Sequence, residues 1–345
     1  MISVLAFGLW VFSFTNYFMK RNFWFNQKKP ILALAPMAGV SDSAFRQLCK
    51  NFGADILYTE MISADALYYH SEKTLAMLKF DKSEKPIVCQ LFGKRPEMFP
   101  QAIKLAEKAG FAGIDLNFGC PARKVVAHGG GVTLMRDLEK CRKLILIVIK
   151  NTKLPVSVKI RAGIDKITAL DFLQVIDDLP ISAVMIHGRY FKNPFSGPID
   201  YEMIKKVKQN FKGIVLGNGG INKPQDAKMM LDRTGVDGIG LARGLYGKPW
   251  LFKQIKNYLN KGKYQEFEFE EIKKVALEHA TLAKKMKGEW GIVETRKHLA
   301  WYVKGLPDVS RLRNKLVQVK TVKEIEDILN QENKTVSGLA DFSPR

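Results

Sequence analysis

The chain is poor in the residues that would place it in several common classes. Its four cysteines, Cys49, Cys89, Cys120 and Cys141, are scattered, with no Cys-x-x-Cys pair, and its five histidines fall at no spacing typical of zinc. This pattern argues against a structural zinc site or an iron–sulfur cluster, so no metal is expected, and it reads as reduced thiols in a cytoplasmic protein. Acidic residues are also scarce, 34 against 55 Lys and Arg, for a formal net charge of +21. Such a surplus concentrates polyanions around a protein and makes nucleic acid the leading partner, a generally basic solvated surface being the plain alternative. No Gly-x-Gly-x-x-Gly turn follows the first strand-like run. Pro36-Met37-Ala38-Gly39-Val40 stands there instead, against an open dinucleotide-binding sheet.

Charge is absent altogether from Met1 to Met19, a run rich in Leu, Phe, Val and Trp that on its face suggests an export signal or an anchor. A signal needs basic residues before the apolar stretch. Here Lys20, Arg21, Lys28 and Lys29 follow it, and Ser13, Thr15 and Asn16 interrupt it. Met19-Lys20-Arg21 reads as a natural start, so residues 1–29 are expected to be an extension outside the fold, the first 18 arising from an early start, with no membrane partner.

What is present from residue 31 onward is an alternation of short apolar runs with helical stretches. Continuous apolar runs are what parallel strands buried on both faces require. Eight occur, at 31–37, 56–61, 86–92, 113–117, 156–161, 183–187, 213–218 and 238–242. Eight β/α units close a barrel, and 345 residues hold one such barrel plus an appendage. The expected fold is therefore α/β, a (β/α)8 TIM barrel over residues 30–262, followed by an all-helical domain over 263–332 and a tail over 333–345. The helical part shows apolar residues at three- and four-residue spacing, as at Val275, Leu282 and Met286. Between Lys284 and Lys320 it carries ten Lys or Arg against Glu289, Glu294 and Asp308, ten minus three or +7, with Trp290, Trp301 and Tyr302 interleaved. This suits a phosphate backbone, whereas each aromatic taken singly reads as packed inside a solvated helix.

Functional groups in this architecture sit at the carboxyl ends of the strands. Five consecutive endings are polar or glycine-rich: Asn117-Phe118-Gly119-Cys120-Pro121, Lys159-Ile160-Arg161, His187-Gly188-Arg189, Asn218-Gly219-Gly220 and Ala242-Arg243-Gly244. The last two follow strands seven and eight, where such barrels bind phosphate, and Arg243 adds a guanidinium. Lys159 can stabilise negative charge on a reduced flavin, form a Schiff base as in barrel aldolases, or pair with a core carboxylate. Cys120, between glycine and proline, is offered to the barrel mouth and can donate a proton, while Cys49, Cys89 and Cys141 read as buried hydrophobes.

Taken together, Ala35-Pro36-Met37-Ala38-Gly39-Val40-Ser41-Asp42, the Cys120 run, Lys159-Ile160-Arg161, His187-Gly188-Arg189 and Gly247-Lys248-Pro249-Trp250 resemble the tRNA-dihydrouridine synthases, most closely the bacterial B-type branch, over residues 30 to about 320. The resemblance implies FMN as cofactor, NADPH or NADH as electron donor and tRNA as partner. It implies FMN contacts at Pro36, Met37, Ala38, Gln90, Lys159, His187, Asn218, Gly219, Gly220, Ala242 and Arg243, with Cys120 as the proton donor in reducing the C5=C6 bond of a uridine. Asn117, Arg123, Lys124 and Arg161 are candidates for contacting the uridine or neighbouring phosphates, and a monomer is expected. Two positions depart from the family: Gly220 stands where an Asp is frequent, and Ala242 where a Gly is usual. Ala127-His128-Gly129-Gly130-Gly131 resembles the family's loop after the cysteine, made richer in glycine. A flavin barrel acting on free pyrimidines and a non-enzymatic RNA-binding barrel are the rivals, and the basic helical domain separates the former.

Overall fold

All eight apolar runs become parallel strands. In a computed structural model that describes residues 22–306 and 309–340, the side chains of 332–340 excepted, the strands are β1 (Ile31–Leu34), β2 (Ile56–Tyr58), β3 (Ile62–Ser63), β4 (Ile87–Phe92), β5 (Gly113–Asn117), β6 (Val156–Ile164), β7 (Ile167–Thr168), β8 (Ile181–Tyr190), β9 (Ile214–Asn218) and β10 (Gly238–Leu241). β1 lies parallel between β2 and β10, β2 pairs with β4, and the rest follow as β4, β5, β6, β8, β9, β10. The ring of eight is thus closed, and the doubly wound alternative falls. β3 and β7 are additions: β3 continues the mouth beside Leu91 and Phe92 of β4, and β7 folds back antiparallel on the end of β6.

Closure fixes which side chains share a level. Parallel register pairs Asn117 of β5 with Lys159 of β6, Arg161 of β6 with His187 of β8, His187 with Asn218 of β9, and Asn218 with Gly240 of β10. Side chains two apart on one strand face the same way, so each strand delivers one or two groups to the mouth.

The base of the barrel is closed by residues expected to lie outside it. Trp24 is 0% exposed and packs among Ile31, Ala33, Ile56, Tyr58, Val88, Met185 and Leu216. Asn22 Nδ2 donates to Ser182 Oγ at 2.8 Å. The predicted boundary at residue 30 therefore moves back to at least Asn22, because a closed ring needs an apolar stopper at its open base. The uncharged run and the supposed start at Met19 lie outside the described residues. Among the described residues no helix is long and apolar enough to cross a membrane.

The barrel ends in helix Leu251–Lys261, stopped by Gly262 in the left-handed conformation. Four helices follow: Phe269–Lys287, Glu289–Tyr302, Val309–Leu316 and Val322–Ala340, the last running past the expected boundary at 332. Their core joins the barrel through Leu48 and Trp250, and Trp250 stacks on Phe267 with ring centroids 4.7 Å apart. Trp301 stacks on Tyr246 at 4.1 Å, and Gly247 passes so close to Trp301 that a Cβ there would stand 2.3 Å from its carbonyl oxygen.

One buried ion pair ties the β1 loop to the segment before β4. Arg46 and Glu84 meet with both side chains inside, Arg46 Nη1 donates to Ser41 O at 2.8 Å, and Ser43 Oγ and the Asp81 amide complete the carboxylate's partners. Removing one member leaves the other buried and unpaired, so Glu84→Ala is expected to lower unfolding stability by about 3–5 kcal/mol, read from urea denaturation. A loss under about 1 kcal/mol would show that the pair contributes nothing beyond a surface bridge.

Candidate active site

The carboxyl end of β5 makes a turn held from beneath. Asn117 Oδ1 accepts from the amides of Gly119 (3.1 Å) and Cys120 (2.9 Å), while its Nδ2 donates to Gln90 Oε1 at 2.8 Å. Gln90 Nε2 in turn donates to Asp115 Oδ2 at 2.7 Å, and Ser157 Oγ donates to Asp115 Oδ1 at 2.6 Å. These side chains are all buried, so each donor has to be matched, and the chain of bonds transmits that demand from the barrel interior to the Cys120 peptide. Arg161 Nε donates to Gly119 O at 2.7 Å from the β6 side. Behind the turn, Val132 N donates to Cys120 O at 3.1 Å, and Gly131, at φ 59°, lies where a Cβ would come within 2.6 Å of that oxygen. Only glycine fits there.

Cys120 is half-buried. Burial pushes its thiol above the ordinary value, opposed by the nearby Lys159 and Arg161 cations. Lys159 is held low, to about 8, by burial and then by Arg161, with Asp115 acting the other way, and its Nζ donates to Asn218 Oδ1 at 3.3 Å. Asn218 Nδ2 donates to Gly240 O at 2.6 Å. His187 is pushed far down by burial and then by Lys159, Arg161, Arg189 and Arg243, so it is a neutral imidazole. Its Nδ1 accepts from the Arg189 amide at 3.3 Å, which leaves the proton on Nε2.

Over β8, β9 and β10 lies a cleft of about 330 Å³ lined by His187, Arg189, Asn218, Gly219, Gly220, Asn222, Ala242 and Arg243. Gly219 (φ 112°) and Gly220 (φ 73°) turn backbone into it, and a Cβ on either would strike Ile199 within 2.9 Å. Three arginines hold the loop after β8 by its carbonyls: Arg161 to Pro194 (3.1 Å), Arg243 to Phe195 (2.7 Å) and Arg189 to Gly197. Arg189 Nη1 remains buried without a partner. Two guanidinium groups and two glycine turns around one cleft make an anion site.

The family model described as "Dihydrouridine synthase (Dus)" matches residues 33–337. The chain belongs to the dihydrouridine synthase family. It is 37% identical over 314 residues to a probable tRNA-dihydrouridine synthase of Rickettsia bellii, covering 87% of this chain and 96% of that protein. It is 35% identical over 302 residues to tRNA-dihydrouridine synthase B of Shewanella oneidensis, covering 86% and 94%. Among solved structures the fold is similar to 6-hydroxypseudooxynicotine amine oxidase from Pseudomonas geniculata, with TM-score 0.52, 14% identity and 68% of this chain covered. Histamine dehydrogenase from a Rhizobium species is likewise similar, with TM-score 0.51, 13% identity and 73% covered. The chain spans 48% of the length of each of these two structures.

For this dihydrouridine synthase family member, Cys120, Lys159, His187, Asn218, Gly219, Gly220, Ala242 and Arg243 come together toward the carboxyl ends of the strands, while Gln90 is fully buried within β4, between Asp115 and Asn117. Pro36, Met37 and Ala38 form the β1 loop, whose Met37 amide donates to Ser41 Oγ at 2.9 Å. Asn117 and Arg161, expected to contact the uridine or neighbouring phosphates, both bond to protein groups here. Arg161 is 4% exposed although level with His187 in the strand register, because the loops carrying Gly119 and Pro194 close over it and take its guanidinium on their carbonyls. Arg123 and Lys124 stand exposed on the short helix Arg123–Ala127 at the rim. Sequence reasoning assigned no role to Asp115, Ser157 or Arg189. Arg189 was legible as the residue two beyond His187 on one strand, whereas the apolar run around Asp115 carries no local signal of its role. Among the described residues no group of three or more His, Cys, Asp or Glu could hold a metal ion.

Burial pushes the Asp115 carboxyl up to about 6, from 3.8 ordinarily. Between those values the folded protein holds a proton that the unfolded chain has lost, so folding stability is greatest below pH 4 on this account and falls as pH rises to 6. The whole difference is on the order of 3 kcal/mol. Asp115→Asn should flatten that part of the stability–pH curve, and an unaltered slope would show that another group titrates there.

Proposed function

We propose that this protein reduces the C5=C6 bond of uridines in tRNA to 5,6-dihydrouridine, using FMN recharged by NADPH or NADH, with Cys120 as proton donor. The observation that carries this reading is Cys120, held by a buried hydrogen-bond chain at the mouth of a barrel whose other side is a cationic glycine cleft, in a chain of the dihydrouridine synthase family. The residues present fit FMN. The cleft's backbone amides at Gly219 and Gly220, with Arg243 and the unpartnered Arg189 Nη1, suit its phosphate. Met37, Ala38, Lys159 and His187 would hold the flavin ring, with Gln90 acting through Asn117 and Asp115. When bound and reduced, FMN supplies a hydride to C6 of the uracil.

The chain's own part is the proton and the charge. Near neutral pH the Cys120 thiol keeps its proton, which is what an acid requires, and the Sγ–H bond breaks as C5 gains that proton. Lys159 and Arg161 stabilise the thiolate left behind and the negative charge on the pyrimidine. His187, neutral, donates through Nε2 without adding charge. Balance is complete with one hydride at C6 and one proton at C5. Reaching a base inside folded tRNA requires drawing it out of its stack, and the basic helical domain supplies the surface that holds the rest.

Cys120→Ala is expected to keep bound flavin and NADPH oxidation while dihydrouridine formation on unmodified tRNA falls about 10²–10⁴-fold. An unchanged product yield removes Cys120 from the chemistry. Arg243→Ala should lower the flavin retained through purification, read from absorbance against protein. Activity on free uracil that survives deletion of residues 263–345 would favour the small-pyrimidine enzyme instead.

A further inference from the structure

The mouth of the barrel is not uniform around its rim. The arc over β8, β9 and β10 is the cationic cleft. On the neighbouring arc, over β1, β2, β4 and β5 in that spatial order, lie aromatic faces and unpaired cations. Trp290 is 65% exposed, yet it does not hang free. Its Nε1 donates to Glu294 Oε1 at 3.1 Å, Glu294 pairs with Lys287, and Lys287 Nζ donates to Asp42 Oδ2 of the β1 loop at 2.8 Å. That chain fixes an indole of the helical domain beside the loop expected to carry the flavin.

Beyond it, Tyr68 and Tyr69, 43% and 64% exposed, follow β3 in an edge-to-face pair with centroids 5.2 Å apart. Arg95, just past the end of β4, sits over the Tyr69 ring at 5.8 Å and is tied to Asp65. The exposed Lys94 side chain runs beside Gly129, in the loop after Cys120, and Arg123 and Lys124 continue the arc past β5. Several carboxylates of this arc are already paired, Asp65 with Arg95, Glu289 with Lys284, and Asp42 and Glu294 with Lys287, while Glu60 accepts the Gly39 amide. Lys94, Arg123 and Lys124 make no ion pair among the described residues.

Flat aromatic faces held by hydrogen bonds and interleaved with free cations are how unstacked nucleotides are held without reading sequence. An apolar protein partner would want a continuous greasy patch, and here the indole bonds to Glu294 while the tyrosine pair lies beside Arg95. We propose that this arc binds the RNA strand flanking the target uridine, with Trp290 and Tyr69 as stacking platforms for unpaired bases and Lys94, Arg123 and Lys124 on the phosphates. The proposal rests on the tRNA reading above and adds where the strand lies.

The test compares tRNA binding and KM on an unmodified tRNA transcript for the wild-type holoenzyme, Trp290→Ala, Tyr69→Ala, the conservative Trp290→Phe, and Met229→Ala, an exposed apolar residue on the outer helix Pro224–Thr234. Each alanine variant on the arc should raise Kd and KM for tRNA about tenfold. Flavin content, tRNA-independent NADPH oxidation and kcat should stay within about twofold. Trp290→Phe should restore most of the affinity, and Met229→Ala should change nothing. Wild-type affinity in both Trp290→Ala and Tyr69→Ala, with dihydrouridine still formed, overturns the arc alone. A wild-type protein that neither binds tRNA nor forms dihydrouridine overturns the functional reading and the arc with it.

Discussion

A carboxylate placed inside a parallel barrel must be met by donors, and Asp115 is met on one oxygen by Ser157 and on the other by Gln90. Much of the site depends on that demand. Gln90 cannot turn its amide toward Asp115 without offering its carbonyl the other way, and Asn117 takes it. Asn117, oriented by that bond, presents its own oxygen to two successive backbone amides, which sets the direction in which Cys120 leaves β5. The thiol's position therefore follows from a charge three side chains away. The cysteine's own backbone is held at both ends, its amide by Asn117 and its carbonyl by Val132.

Electrostatics at the mouth runs one way. Beyond burial, Arg161 depresses Lys159, Arg189 and Arg243 depress Arg161, and all four cations depress His187, while Asp115 acts the other way on Lys159. Such an arrangement is costly without an anionic ligand, which is why part of the guanidinium capacity is spent on the carbonyls of residues 194–197. A phosphate accepted there would find donors oriented in advance, with Arg189 Nη1 already lacking a partner.

The strands were legible where burial on both faces makes the sequence continuous. β5 matches its predicted run, Gly113–Asn117, end for end. Endings were harder. β1 stops at Leu34 although the apolar run continues to Met37, since Pro36 has no amide for the ladder; β6 and β8 run on to Ile164 and Tyr190 because a hairpin at β7 and the pair Gly163–Tyr190 extend them, which no local pattern announces. Trp24 was missed because a stopper needs no periodicity. The cover over Arg161 was not legible, because alternation along a strand tells which face a side chain takes and not which loops close over it. The aromatics of the helical domain divided three ways: Tyr302 packed inside, Trp301 stacked on Tyr246, Trp290 left outside.

That division follows from how the helical domain is attached. It docks on the helix after β1 through Leu48 and Phe45, and on the chain leaving β10 through Tyr246, Gly247 and Trp250. β1 and β10 are neighbours in the closed ring, so both attachments fall on one side of the barrel. The rings nearest that seam are buried by it. Trp290 comes just after Gly288, whose positive φ of 62° ends one helix and redirects the chain into the next, and so lies at the turn between two docked helices, 65% exposed. The same asymmetry leaves the rim over β2, β4 and β5 clear of the helical core, with the Cys120 turn between that open side and the cationic cleft. A ligand long enough to touch both domains can then span the mouth without displacing either.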